Sequence, residues 1–284
     1  MSRLFVSTFF RMLKKAVFWI LMICMFAYGV YGASNAGADT MGSFALDGCF
    51  FEFLPFMGLV SAIFTSLFIG SEYSDGTIRN KLVVGRSRTG VYLANLVVCS
   101  VASVLISLAY TGGVFMIGSA KGGSLLTETG IIASCFICGV LVSVAFTSIM
   151  TMLAMLNTNK AGNVVVSMIL ALLLLVSSSF VYQRLSEPEM YDNYLSVNES
   201  GIPTKVEQTP NPLYIDGTSR DIFEVINDFL PSGQAIQLAD AFDAEGIVNK
   251  DAGNEAYRWC IFSALVIVLT SGVGVILFRK KAIR

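Results

Sequence analysis

Between two long apolar runs the chain reads GSEYSDGTIRNKLVVGRSRTG over residues 70–90. A loop that merely joined two hydrophobic segments would need polarity and little else. This one carries helix punctuation of its own: Ser74 or Asp75 as N-cap, a short helix through Ile78, Leu82 and Val83, and Gly85 as its stop. Ser87 then caps the run that follows, with Arg86 and Arg88 at the headgroups. A short helix with an apolar side in an aqueous compartment fits a partner's groove. The flanking runs, 53–70 and 91–118, are too long for strands and long enough to cross a bilayer as helices, which takes about 20 mostly apolar residues.

Runs of comparable length lie at 16–32, 131–156, 163–181 and 259–278. The reading is an all-α polytopic membrane protein with six transmembrane helices. Residues 1–15 form an interfacial amphipathic helix, and 16–181 hold the first five spans with the 71–90 loop between the second and third. A long outer loop with short helices covers 182–258; the last span and a basic tail occupy 259–284. The third run is long, and Gly112 and Gly113 mark where a break is expected. The composition agrees: 55% of the 284 residues are apolar and 14% charged, against about a quarter charged in soluble chains.

Lys and Arg decide the orientation. Arg3, Arg11, Lys14, Lys15, Arg79, Lys81, Arg86, Arg88, Lys160, Arg279, Lys280, Lys281 and Arg284 fall on one face, with only Glu72 and Asp75 among the acids. Both termini are therefore expected in the cytoplasm, and most acids lie in the outer loop, as in a bacterial plasma membrane protein.

Several function classes drop out. His is absent, which removes His-based hydrolytic centres and His-ligated metals. No Asp, Glu, Lys or Arg lies inside any of the six runs, where ion-coupled carriers and intramembrane enzymes keep their working groups. No G-x-x-x-x-G-K-[ST] phosphate loop is present, so the chain is not expected to be an enzyme, to bind a cofactor or metal, or to contact nucleic acid. Cys135 and Cys138 form a CxxC within a span and read as small packing residues. Cys135, Gly139, Ser143, Thr147 and Thr151 make a small-residue stripe on the fourth span, and Ser103, Ser107 and Thr111 one on the third. Both are expected to bring helices of this chain together.

Residues 2–15 sort by helical period. Arg3, Ser7, Thr8, Arg11, Lys14 and Lys15 take one side, and Phe5, Val6, Phe9, Phe10, Met12 and Leu13 the other, with Leu4 as the exception. Such a helix lies in the headgroup layer, bases toward anionic lipid, and its polar side could also meet a cytoplasmic partner. In the outer loop an amphipathic helix is expected over 219–230, with Ile222, Phe223, Ile226 and Phe229 on one side, and a second over 234–242. The part before them is turn-rich. These apolar sides are expected to pack against the outer ends of the spans.

Glu72, Gly76, Thr77, Ile78, Arg79, Asn80 and Leu82, followed by Ser87 and Arg88 at the start of the next span, resemble the loop after the second span in type-2 permeases of the ATP-binding-cassette (ABC) superfamily, the type V exporters. Asn211, Pro212 and Tyr214, then Asp228 through Leu230 with Pro231, Gly233, Gln234 and Ala235, resemble the outer loop before the last span in Firmicute members. The resemblance implies a permease subunit that works with a second permease subunit, identical or homologous, and with separate ABC ATPase subunits, which hold the ATP and Mg. It implies that Glu72, Asp75, Gly76, Thr77, Ile78, Arg79, Asn80, Lys81, Leu82, Val83, Arg86 and Arg88 form the coupling segment docked on the ATPase. The charge-free spans favour an amphipathic or hydrophobic exported substrate, such as a peptide, lipid or drug. The alternative is a polytopic sensor or scaffold without transport of its own.

The orientation is testable by single cysteines in a Cys-free background. Ser200→Cys should react with a membrane-impermeant maleimide on intact cells and Lys160→Cys should not; the reverse pattern overturns the topology.

Overall fold

The computed structural model describes residues 2–35, 46–197, 203–243, 246–247 and 252–281. Ser200 and Arg284 lie outside the described residues. In chain order the helices are α1 (Ser2–Leu13), α2 (Ala16–Asn35), α3 (Met57–Ser74), α4 (Thr77–Val83), α5 (Arg88–Ala120), α6 (Thr129–Leu156), α7 (Lys160–Ser186), α8 (Gly217–Phe229), α9 (Pro231–Asp240) and α10 (Ala252–Lys280). Each apolar run is one helix, since hydrocarbon offers backbone amides no partner outside the helix itself. Polar caps set two of the starts. The Asn159 side chain accepts from the amides of Ala161 and Gly162 ahead of α7, and Ser87 accepts from the Gly90 amide ahead of α5, as the sequence suggests.

Helix α6 is the centre of the bundle, packing on α10, α3 and α5, while α2 lies along α5 and α7 along α3. The two small-residue stripes meet, as expected: Ser103 of α5 donates to the Ser143 carbonyl of α6 at 3.3 Å, and the Ser107 and Ser143 hydroxyls are 3.4 Å apart. Ser61 of α3 joins Thr147 of α6 at 3.1 Å, and Ser148 of α6 joins Thr270 of α10 at 2.7 Å. Interhelical bonds of this kind in a membrane contribute about 0.6 kcal/mol each. They fix register more than they hold the bundle together.

Three sequence expectations fail in the spans and the outer loop. Helix α5 runs unbroken through Gly112 and Gly113, about 50 Å at 1.5 Å per residue. Gly113 serves packing instead: a Cβ there would stand 2.3 Å from the Phe26 carbonyl oxygen of α2, and one on Gly29 of α2 would stand 2.2 Å from the Tyr110 carbonyl oxygen. The two backbones touch at facing glycines. Gly112 has open space on its side. In the outer loop, the stretch expected to be turn-rich is an antiparallel hairpin, β1 (Met190–Val197) against β2 (Pro203–Pro210). Two short strands, β3 (Phe242–Asp243) and β4 (Gly246–Ile247), follow α9.

The two expected outer helices are present as α8 and α9, separated only by Leu230, with Pro231 ending the first and opening the second. Proline suits the first turn of a helix, where no amide bond is lost. Helix α9 is sunk into the bundle, with Ser232, Gly233, Gln234, Ala235 and Leu238 buried. Helix α8 departs from expectation. Its apolar residues Ile222, Val225, Ile226 and Phe229 are exposed, whereas the polar Asn227 and Asp228 are the buried ones. A helix at the rim of a membrane protein can reverse the soluble pattern this way, because its free side faces the bilayer interface.

The contrast between adjacent glycines gives a paired expectation for the thermal midpoint of the detergent-solubilised protein. Gly113→Ala should destabilise by roughly 1–3 kcal/mol through overpacking. Gly112→Ala should be neutral or stabilising by up to about 1 kcal/mol. Equal effects would contradict the α2–α5 crossing.

Candidate functional site

The basic end of the bundle is organised around one carboxylate. Glu72 lies in the last turn of α3, two residues beyond the apolar run, and its side chain is fully buried. An ionised carboxylate taken out of water costs several kcal/mol unless it is paired. Here Oε1 accepts from Arg11 Nη1 of α1 at 3.2 Å and from Lys81 Nζ of α4 at 2.8 Å, and Oε2 accepts from Asn95 Nδ2 of α5 at 3.0 Å. Four helices thus converge on one side chain. Arg11 also donates to the exposed Asp75 at 3.0 Å, and Lys81 to the Thr8 hydroxyl at 3.3 Å.

This arrangement explains the exceptional position of Leu4. Leu4, Thr8 and Met12 are buried, each four residues from the next, so α1 presents part of its polar side to its own chain, where Glu72 and Asp75 meet Arg11. Val6 and Phe10 on the other side are exposed. The bases expected to face lipid or a partner thus include two that hold this segment to α3, Arg11 and, through Asp75 at 3.9 Å, Lys15.

Helix α4 begins without a side-chain cap. Gly76, at φ +65°, occupies the N-cap position, in place of the expected Ser74 or Asp75. Asp75 cannot serve because it ends α3 and pairs with Arg11. The exit follows the sequence reading. Gly85, at φ +87°, donates its amide to the Leu82 carbonyl at 3.0 Å, and the Arg86 amide reaches the Lys81 carbonyl at 3.1 Å, a Schellman turn that glycine accommodates without strain. Ile78 is fully buried and Leu82 half-buried against the chain itself. Of the three apolar residues expected to meet a partner, Ile78 and Leu82 are therefore the anchor of α4, since both side chains fall on its inner side, and Val83 alone is left exposed. The free apolar surface is Val83 and Val84, 79% and 78% exposed, alongside the exposed Arg79 and Asn80. Thr77 begins α4, and Arg86 is exposed just beyond it.

Behind α4 the end of α10 is clasped. Arg88 Nη1 donates to the carbonyls of Phe278 at 3.4 Å and Arg279 at 3.3 Å, and also to that of Lys281, so it satisfies acceptors that a helix end leaves open. The Lys281 ammonium donates to the Tyr73 hydroxyl and the Met155 carbonyl, both at 3.0 Å, and lies 4.4 Å from the Tyr73 ring centroid. Burial lowers it to about 8. Asn95, Tyr73 and Lys281 were not singled out by the sequence reading. The legible signal was Asn95, an amide in the middle of an apolar run.

At the acidic end, the motif residues bond within this chain, to one another and to their neighbours. Asn211 donates to the Glu187 carboxylate at 2.9 Å and the Pro188 carbonyl at 2.8 Å, and accepts from the Leu213 amide at 2.8 Å, closing the base of the hairpin. Pro212 is exposed, and Tyr214 lies under the Arg220 guanidinium at 5.5 Å. Gln234 donates to the Asp228 carbonyl and accepts from Ser263 of α10, each at 2.5 Å. Asp228 also accepts from Trp259 Nε1 at 3.1 Å and pairs with Arg258. A Cβ on Gly233 would stand 2.1 Å from the Asn227 carbonyl oxygen, so only glycine fits there. These residues fasten α8 and α9 to α10. Among the described residues no cluster of metal-ligating side chains occurs.

A family model described as ABC-2 family transporter protein matches residues 7–178, which is more than half of the chain and includes α4, the first four spans and most of the fifth. No curated protein matches it.

Removing the central carboxylate while leaving its bases should be costly. Glu72→Ala is expected to destabilise the protein by roughly 3–5 kcal/mol, whereas Asp75→Ala, at an exposed pair, should cost within about 1 kcal/mol. Thermal unfolding in detergent separates the two; indistinguishable midpoints would show that Glu72 is not the junction.

Proposed function

Because the chain belongs to the ABC-2 transporter family, and is therefore the membrane permease of an ABC transporter and not its ATPase, we propose that it is an exporter subunit driven through α4 by separately encoded ATPase subunits. The permease pairs with a second permease subunit, identical or homologous. ATP and Mg are held in the ATPase. Both termini and α4 face the cytoplasm of a bacterial cell, as the distribution of Lys and Arg indicates. The absence of Asp, Glu, Lys and Arg from the six apolar runs favours an amphipathic or hydrophobic substrate, such as a peptide, lipid or drug, because an ion would need coordinating groups in the bilayer.

The observation that carries the coupling role is the exposure of Val83 and Val84 on a helix braced from behind. Apolar side chains held out in water on a rigid support favour a groove in a partner, where full burial of each contributes roughly 1.5 kcal/mol. Arg79 and Arg86 stand at the rim of that surface and steer association more than they add affinity. A displacement of α4 by the ATPase passes directly to α3 and α1 through Lys81, Glu72 and Arg11, and to α5 through Asn95. The coupling segment of residues 72–88 thus divides by role: Glu72, Gly76, Ile78, Lys81, Leu82 and Arg88 brace, while Thr77, Arg79, Asn80, Val83 and Arg86 are presented, with Asp75 holding α1.

Val83→Asp/Val84→Asp should release the ATPase on co-purification, or abolish substrate-stimulated hydrolysis in reconstituted vesicles, with the permease midpoint unchanged. Ile78→Asp should instead unfold or aggregate the permease, as a charge forced into its core. A double valine variant that retains both partner and stimulation would remove α4 from coupling and favour the scaffold or sensor reading.

A further inference from the structure

Between α1 and α4 runs an open groove of about 310 Å³ lined by six polar or cationic side chains, Arg3 and Ser7 from α1 and Thr77, Asn80, Lys81 and Arg86 from α4 and its exit, together with the apolar Leu4 and Val84. Three of these six side chains are cationic and none is acidic. Lys81 is pinned from behind by Glu72, but Arg3 and Arg86 form no ion pair among the described residues. Two guanidiniums without an ion pair that line one cleft, together with hydroxyl and amide groups, suit a tetrahedral oxyanion, because a guanidinium offers paired N–H donors matched to phosphate.

The surroundings say which phosphate. Val6 follows Arg3 by three positions and Phe10 follows Ser7 by three, so a strip of exposed apolar side chains borders the mouth of the groove on α1. Neighbours at that spacing adjoin on a helix surface, so here the edge of the apolar side of α1 meets the edge of its polar side. A ligand with a phosphate and a hydrocarbon tail can satisfy both surfaces at once, whereas free phosphate would leave Val6 and Phe10 in water. We propose that the α1–α4 groove binds the phosphate of an anionic phospholipid from the leaflet in which α1 lies, with the acyl chains along Val6 and Phe10. The lipid then bridges the interfacial helix and the coupling helix. Val84 and Arg86 belong to both this groove and the coupling surface, but lipid binding is assayed on the chain without the ATPase, so this assignment can fail while the coupling role of Val83 and Val84 stands.

Native mass spectrometry of the detergent-purified chain, after exposure to phosphatidylglycerol or phosphatidylcholine in mixed micelles, counts the lipids retained. The intact protein should prefer phosphatidylglycerol. Arg3→Gln/Arg86→Gln should weaken that preference roughly tenfold, the scale of two surface charges acting on an anionic headgroup, while Arg3→Lys/Arg86→Lys retains most of it. Both variants should keep the parent's thermal midpoint, since both side chains are exposed. Undiminished phosphatidylglycerol retention by the glutamine variant overturns the proposal. So does displacement of the lipid by millimolar inorganic phosphate, which would assign the groove to a soluble anion.

Discussion

The burial of Glu72 is the constraint on which the basic end of this protein depends. A carboxylate at that depth must be compensated, and the compensation comes from three other helices, α1, α4 and α5. Each of those contacts replaces an apolar one that would have been non-directional. A purely hydrophobic junction would hold the helices but let them slide; an acceptor with two oxygens and three fixed donors sets their positions. That explains how a helix as short as α4, seven residues long, keeps a defined place. In isolation so short a helix is unstable in water, and here Ile78 and the Lys81–Glu72 pair hold it from one side while Gly76 and Gly85 close its ends.

The acidic end repeats the device with another set of atoms. Asp228 and Gln234 are buried polar groups that bond to Trp259 and Ser263, drawing α8 and α9 onto the start of α10. Polar side chains buried at a membrane rim are costly when unpaired, and these are paired within the chain. The outer motif that resembles other permeases is therefore accounted for by packing, without a ligand. The hairpin above it is closed at its base by Asn211.

The legibility of this chain follows the strength of each physical signal. Six apolar runs cannot do much in a bilayer except become helices, and all six did. Gly85 and Ser87 were readable because left-handed backbone and amide capping are local matters. The failures are non-local. Gly113 suggests a break by its own propensity, yet its partner is Gly29, more than eighty residues earlier, and only the crossing of α2 and α5 gives the pair meaning. Ile78 and Leu82 form an apolar stripe that fits either a partner or the chain itself; periodicity carries no information on which. Glu72 was placed in an aqueous loop because it stands two residues past the apolar run, and a rule that counts charges inside runs is blind to one just outside. The amide of Asn95, inside a run but uncharged, passed the same rule. Read together, an acid at a span's end and an amide in the next span are a signature of a buried bond.

The two polar junctions also define how movement at one end can reach the other. Helix α10 is held at its C-terminal end by Arg88 and Lys281, in its middle by Thr270 against Ser148, and near its start by Trp259 and Ser263 against Asp228 and Gln234. A helix fixed at three heights transmits displacement as a rod, since stretching its backbone bonds costs more than shifting a side-chain contact. Arg88 is the first residue of α5 and follows α4 by only a few positions. Within the proposed cycle, a push on α4 therefore has two routes. One runs through Glu72 into α1, α3 and α5, and the other through Arg88 along α10 to α9. The second route crosses the whole bundle without any charged group inside the apolar run of α10, so the transmission adds no desolvation penalty within the bilayer.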